Sequence, residues 1–302
     1  MESPLTNPAD ARRPAVSCDL CGARDAQRIF EKHGDNYVRC RQCGLLYIDP
    51  QPSDAELAAI YGAHYYDAWG IGDAEDAVAR LKRKTFSSML RRLREKTGLH
   101  SGALLDLGCA TGFLLEEARE VGFDPYGVEL NEFSAAKARE KLGANRIHCG
   151  TLESAPFVPG SFEVVVMSDV LEHVRSPRQL LRETRALLRP GGALVVVAPD
   201  SAGLSSRLLG KQWTDYKREH LYSFDRRTLP RILEQAAFAV LDLRAFPKYL
   251  DLDYVHRQLA AFPTPLFTPL VKALHRITPK RLRRVMLPIH AGSMMAVAVR
   301  RD

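Results

Sequence analysis

The chain has 302 residues, 46% hydrophobic and 26% charged, which suits one large globular domain or a principal domain with a small companion. No uncharged apolar run approaches the roughly 18 residues of a membrane span, and Met1-Glu2-Ser3-Pro4 lacks the basic and apolar regions of a secretory leader, so a cytoplasmic location is expected. The net charge is +7, yet residues 254–301 alone carry nine Lys/Arg and no acid, which argues against a chain-wide DNA-binding surface.

Residues 1–14, with three prolines and no periodicity, read as a flexible tail. Residues 15–50 hold Cys18-x-x-Cys21 and Cys40-x-x-Cys43, with 18 residues between the pairs. In a reducing compartment two such pairs favour metal ligation over disulfides, and four thiolates at the corners of a tetrahedron suit a closed structural zinc site. Gly22 and Gly44 follow the second cysteine of each pair and permit the tight turn of a metal knuckle. Short strands are expected at 28–30 and 45–48. Residues 51–100 read as a helical linker or lid. Ser53 opens a capping box ahead of a helix at 54–61, and a second helix covers about 74–96. Tyr61, Tyr65, Tyr66 and Trp69 either cover a cofactor or pack the linker on the next domain.

From 101 onward short apolar strands alternate with helices. Strands are expected at 103–107, 126–130, 146–149, 162–168, 193–198, 239–245 and 293–299, with helices at 112–121, 131–142, 177–188 and 226–237. Continuous apolar strands separated by helices mean a parallel sheet buried on both faces, so the fold class is α/β and doubly wound. Segments 200–225 and 247–291 fall outside this alternation and read as insertions within the 101–302 domain. They should cover the carboxyl ends of the strands, where open parallel sheets bind ligands.

The first strand runs into Asp106-Leu107-Gly108-Cys109-Ala110-Thr111-Gly112, a loop that lets a ligand touch backbone ahead of a helix N-terminus. A dinucleotide loop would need glycine where Phe113 stands. The second strand ends in Glu129, a carboxylate placed to accept both hydroxyls of a ribose.

Residues 104–112, Val128-Glu129-Leu130, 162–174 and 188–200 resemble the successive motifs of class I S-adenosylmethionine-dependent methyltransferases. The last strand suits that family's Rossmann-like seven-stranded sheet. Glu172-His173-Val174 and the stretch 219–224 are similar to small-molecule methyltransferases related to ubiquinone biosynthesis, and members with an N-terminal four-cysteine zinc ribbon are familiar. The resemblance implies S-adenosylmethionine as cofactor and methyl transfer to oxygen or carbon of a small-molecule acceptor, such as a sugar, a lipid-linked intermediate or a secondary metabolite. It implies that Asp106, Gly108, Ala110 and Gly112, with Cys109 among them, shape the methionine pocket. It places Glu129 and Leu130 at the ribose, Leu152 and Glu153 beside the adenine, and Ser168 near the sulfonium. Two positions depart from the usual pattern: Ala110 replaces a loop glycine, and Thr151 replaces an acid near the adenine amine.

An oxygen or carbon nucleophile must lose a proton, a task suited to histidine. His173 and His220 are the candidate bases, each with a structural role as its alternative. Asp169, Glu172 and His173 share one face of a helical turn and could hold Mg²⁺, although capping the helix is the commoner use of such residues. No Asn/Asp-Pro-Pro-Tyr/Phe or Pro-Cys sequence follows the fourth strand, which argues against methylation of adenine or glutamine amino groups and of cytosine C5. The apolar stretch 259–271 and the basic residues that follow it read either as a peripheral membrane or lipid-linked-substrate contact, or as an ordinary cap with solvated charges. An RNA methyltransferase gripping nucleic acid through its ribbon is one rival, but residues 15–49 balance five basic residues with as many acids. A non-catalytic cofactor-binding scaffold is the other.

Overall fold

The computed structural model describes residue 13 and residues 15–60, 75–264 and 267–302. The aromatic quartet Tyr61, Tyr65, Tyr66 and Trp69 and most of the expected tail lie outside the described residues.

The N-terminal module is an antiparallel sheet of β1 (Ala26–Lys32), β2 (Asp35–Cys40) and β3 (Leu46–Ile48). Strand β2 escapes notice in the sequence because only two residues separate it from β1. His33 and Gly34 both take positive φ (56° and 79°), the backbone of a primed hairpin turn. Helices α1 (Asp54–Ile60) and α2 (Glu75–Thr97) follow close to their expected bounds. The Ser53 capping box is formed, with Glu56 N donating to Ser53 Oγ and Ser53 N donating to Glu56.

The principal sheet contains β4 (Gly102–Leu107), β5 (Phe123–Glu129), β6 (Ile147–Cys149), β7 (Phe162–Ser168) and β8 (Leu188–Pro199), all parallel. A two-residue strand β9 (Tyr222–Ser223) precedes the long hairpin of β10 (Phe238–Leu250) and β11 (Leu287–Arg300). The strand order is β10-β11-β8-β7-β4-β5-β6, with β11 antiparallel to both neighbours. Helices α3 (Phe113–Glu120), α4 (Glu132–Leu142), α5 (Pro177–Leu187), α6 (Leu204–Leu209) and α7 (Thr228–Gln235) fill the connections. Successive strand residues point to opposite faces. Leu104, Val164 and Val195 pack with α2, α3 and α4, whereas Leu105, Val165 and Val196 pack with α5, α7 and the cysteine module. The module therefore shares one continuous core with the sheet.

Two differences from the sequence reading bear on function. The segment expected to be a free insertion at 200–225 gives β9 to the small sheet, where Leu46 faces Ser223 and Tyr47 faces Tyr222. The hairpin of β10 and β11 also runs past the sheet, and its register shifts between Phe246 and Lys248, where Pro247 supplies no amide donor. From the tip of this arm project α8 (Leu252–Ala261), α9 (Phe267–Ile277) and α10 (Lys280–Arg283). Neither α8 nor α9 buries a residue, so they do not form a cap packed on the sheet. Among the described residues no helix is long and apolar enough to cross a membrane.

Candidate functional site

The loop after β4 is held by backbone bonds to the end of β5. Gly108 N and Cys109 N both donate to the Val128 carbonyl, at 2.9 and 3.1 Å. Glu129, 4% exposed, accepts from Ala110 N and from Asn131 N, both at 2.8 Å. One carboxylate thus ties the glycine loop to the turn that opens α4. Gly108 has φ 74°, and a Cβ there would sit 2.8 Å from Val170 Cγ2, so a side chain is excluded on both counts. Ala110, read in the sequence as a tolerated replacement, also lies in the left-handed region at φ 47°, where a non-glycine residue costs roughly 1–2 kcal/mol. The site stores this strain in the loop itself.

Asp106, next to last in β4, is buried, and burial together with the charge of Glu129 raises its pKa well above the usual carboxylate range. Cys109 is buried, and burial with the neighbouring acids raises its thiol, which makes it an inert packing residue. Gly112 has φ 83° and leads into α3. Leu130 is 71% exposed beside Glu129, Leu152 and Ser168 are half-buried, and Glu153 is exposed.

A second group forms beyond β7. The residues from Asp169 to His173 form a turn, not the helical face expected, and α5 begins only at Pro177. Asp169 takes φ 56° and points to Lys248, whose Nζ donates to Oδ2 at 3.3 Å. Burial alone would raise the Asp169 pKa, but the charges of Lys248 and Lys82 outweigh it and hold the carboxyl low. The trio of Asp169, Glu172 and His173, weighed in the sequence as an alternative to a helix cap, is therefore not the set that converges. Glu172, His173 and His220 do converge, with ligating atoms all within 4.8 Å of one another. The imidazoles of His173 and His220 meet edge to face, with ring centroids 4.5 Å apart at 83°.

Glu172 is 1% exposed, and neither carboxylate oxygen has a hydrogen-bond partner among the described residues. Burial, then the charge of Asp169, pushes its pKa well above the usual carboxylate range. Burial lowers His173 to about 4, and burial with His173 and Lys217 lowers His220 well below the usual imidazole value. Both rings are neutral at pH 7. Lys82 and Lys248, which come from α2 and β10, carry no sequence signal, because only the fold brings them to Asp169.

The cysteine module grips the loop that carries His220. Tyr37 Oη donates to the Lys217 carbonyl (3.0 Å), and Lys32 Nζ donates to the Trp213 carbonyl (2.8 Å). Arg218 pairs with Asp35 (3.0 Å) and Glu56 (2.7 Å), and Ile48 N donates to the Leu221 carbonyl (3.0 Å). From the other side Tyr222 N donates to the Glu172 carbonyl at 3.2 Å.

Cys18, Cys21, Cys40 and Cys43 converge as expected, with all four sulfurs within 4.8 Å of one another. Cys18 Sγ lies 3.3 Å from Cys43 Sγ, and Cys21 Sγ lies 3.5 Å from Cys40 Sγ. Zinc–sulfur bonds of about 2.3 Å require tetrahedral edges of about 3.8 Å, so modest expansion completes the fit. Gly22 N donates to Cys18 O and Gly44 N to Cys40 O, and both glycines have positive φ (78° and 84°), which forms the two knuckles. The cluster is compatible with zinc.

The seven-stranded order with one antiparallel strand, and an acid-ended second strand beside a glycine loop, define the class I methyltransferase fold. The chain belongs to the family described as "Methyltransferase domain", whose model matches residues 73–243. It is 31% identical over 103 residues to the ubiquinone biosynthesis O-methyltransferase of Pseudomonas aeruginosa, a match covering 32% of this chain and 44% of that protein. The chain therefore spans less than half the length of that curated relative. It resembles a chain in the complex between the Haloferax volcanii Trm112 methyltransferase activator and a methyltransferase, with TM-score 0.54 and 18% identity, covering 78% of this chain and 98% of that one. It also resembles a [4+2]-cyclase, with TM-score 0.50 and 19% identity over 83% of this chain and 97% of that one. At such identities the likeness is one of fold, and the cyclase shows that this fold does not by itself name a reaction.

Proposed function

We propose that this enzyme methylates an acidic oxygen or carbon, such as a phenol or enol, on a small-molecule acceptor, with His220 as the proton-accepting base and His173 beside it. The observation that carries this reading is the neutral imidazole pair of half-buried His173 and buried His220, close to Asp169 and its partner Lys248. S-adenosylmethionine, when bound, supplies a methyl group already activated by its sulfonium. Asp106, Gly108, Cys109, Ala110 and Gly112 would hold the methionine moiety, Glu129 and Leu130 the ribose, Leu152 and Glu153 the adenine, and Ser168 would sit near the sulfonium. What remains for the protein is to orient the nucleophile and take its proton. An imidazole with a depressed pKa accepts a proton readily only from an acidic group, and nearby ammonium charges favour the acceptor's anionic form. Cys18, Cys21, Cys40 and Cys43 would hold zinc with no open coordination position, a structural role.

The two unpartnered oxygens of Glu172 favour a second reading, in which Glu172, His173 and His220 hold a divalent cation that supplies Lewis acidity to an acceptor oxygen. Two imidazoles and one carboxylate suit zinc or iron better than Mg²⁺, which prefers oxygen ligands. Incubating the protein with methyl-labelled S-adenosylmethionine and fractionated cell extracts tests both. Label in a small acidic metabolite, undiminished by a chelator that leaves the cysteine cluster loaded, supports the imidazole base. Loss of label with that chelator supports the cation. Label in RNA overturns the small-molecule reading, and cofactor binding without label in any fraction supports a scaffold.

A further inference from the structure

We propose that the outer face of α9 and α10 is a docking surface for an anionic lipid bilayer. A helix on a globular protein normally turns its apolar stripe to the core. Helix α9 does the reverse. Leu270, Leu274 and Ile277, at i, i+4 and i+7, share one face and are 61%, 46% and 77% exposed. Leu282 (59%), Val285 (48%) and Leu287 (57%) extend the apolar surface through α10 to the start of β11.

The charge around this surface selects the occupant. Lys272, Arg276, Lys280, Arg281 and Arg284 are all exposed, and the sequence holds no acid from 254 to 301. Asp253, at the start of α8, is the acid that reaches this region, bonding His275 at 2.9 Å and lying 3.8 Å from Arg284. A second copy docked isologously would set these cations against themselves. A layer of anionic headgroups above hydrocarbon meets both features together: the apolar side chains enter the acyl boundary while the cations stay among phosphates. The surface lies on the bilayer and does not span it.

The position relative to the active site gives this docking a purpose. Helix α8 leaves the arm two residues after Leu250, and Tyr254 lies within electrostatic reach of Lys248, which pairs with Asp169. Helix α9 packs on α8, so the docked face is joined through α8 to the strand that carries Lys248. An acceptor with a lipid tail, resting on the proposed small-molecule reading, would be met at the headgroup level.

Sedimentation of the full chain with vesicles tests the docking independently of turnover. Vesicles of equal parts phosphatidylglycerol and phosphatidylcholine should pellet the protein, and phosphatidylcholine vesicles should not. Each basic residue near an anionic surface contributes about fivefold, so Lys280→Gln with Arg281→Gln should weaken binding about thirtyfold. Leu274→Asp with Ile277→Asp should abolish it, with the thermal transition unchanged because both positions are exposed. If that pair perturbs folding, the charge variants still decide the matter. Equal binding to neutral and anionic vesicles, wild-type binding by either variant, or a dimer dissolved by Ile277→Asp in sedimentation velocity would overturn the proposal.

Discussion

The carboxyl edge of the sheet is built in two ways on its two sides. On the side proposed for the cofactor, the loop after β4 is bound to the end of β5 by Gly108, Cys109, Ala110 and Asn131, all within a span of 24 residues, and chiefly through backbone. On the side proposed for the acceptor, Lys82, His173, His220 and Lys248 come from four separate segments. The loop bearing His220 is anchored to Lys32, Asp35, Tyr37, Ile48 and Glu56, some 160 to 180 residues away in sequence. In the proposed reading the cofactor would be met by a local, self-contained motif, and the acceptor by a surface that forms only once the cysteine module has docked. The module clamps the loop that carries His220, in the proposed acceptor half.

Breaking the clamp has the largest expected effect. Structural zinc supplies on the order of 10 kcal/mol to the folding of small metal modules. Cys40→Ser should release the metal, unfold residues 15–50 and abolish turnover, while S-adenosylmethionine affinity changes by less than about threefold because its contacts are local. Elemental analysis, thermal melts and calorimetry check the three parts. Loss of cofactor affinity as well would mean that the two sides are not independent.

The next effect sharpens the acceptor side alone. If His220 is the base, His220→Ala should lower kcat by about 10²–10⁴ with cofactor affinity unchanged, measured by steady-state kinetics and calorimetry. Retained turnover would make His220 structural and leave His173 as the candidate. The reciprocal test is Glu129→Ala, which removes the acceptor of two loop amides and the proposed ribose partner. It should weaken S-adenosylmethionine by about 1.5–3 kcal/mol in calorimetry, without disturbing metal content.

The smallest effect concerns the docking of the module. Arg13, Ser53 and Arg218 hold the Glu56 carboxyl at about 2, below its ordinary 4.5. A lowered carboxylate pKa stabilises the fold fully above the ordinary value and loses that contribution as pH falls toward the folded value. Glu56→Gln should therefore cost about 1 kcal/mol at neutral pH, after screening of this partly exposed pair. In thermal melts the difference from wild type should shrink steadily from pH 4.5 toward pH 2. A constant difference across that range would remove the ion pairs from the account.

Sequence alone determined the parts of this protein whose physics is local. The valine run of β7 is buried on both faces and shows as an uninterrupted apolar stretch. Two CxxC pairs with a glycine after each are a metal knuckle wherever they fold, and the loop from Asp106 to Gly112 with Glu129 needs only two adjacent parallel strands. Some local chemistry still passed unread. The turn at His33-Gly34 concealed β2, and nothing in Ala110 announces a positive φ. The tertiary structure decided what the acceptor side is made of. Asp169 left its expected partners for Lys248, Glu172 gained His220, and β9 joined a sheet that begins almost 200 residues earlier. These contacts leave no periodic trace, because each is made between surfaces that become adjacent only after the sheet, the arm and the module have packed. An amphipathic helix likewise shows its apolar stripe in sequence, but only the fold reveals that the stripe of α9 faces outward.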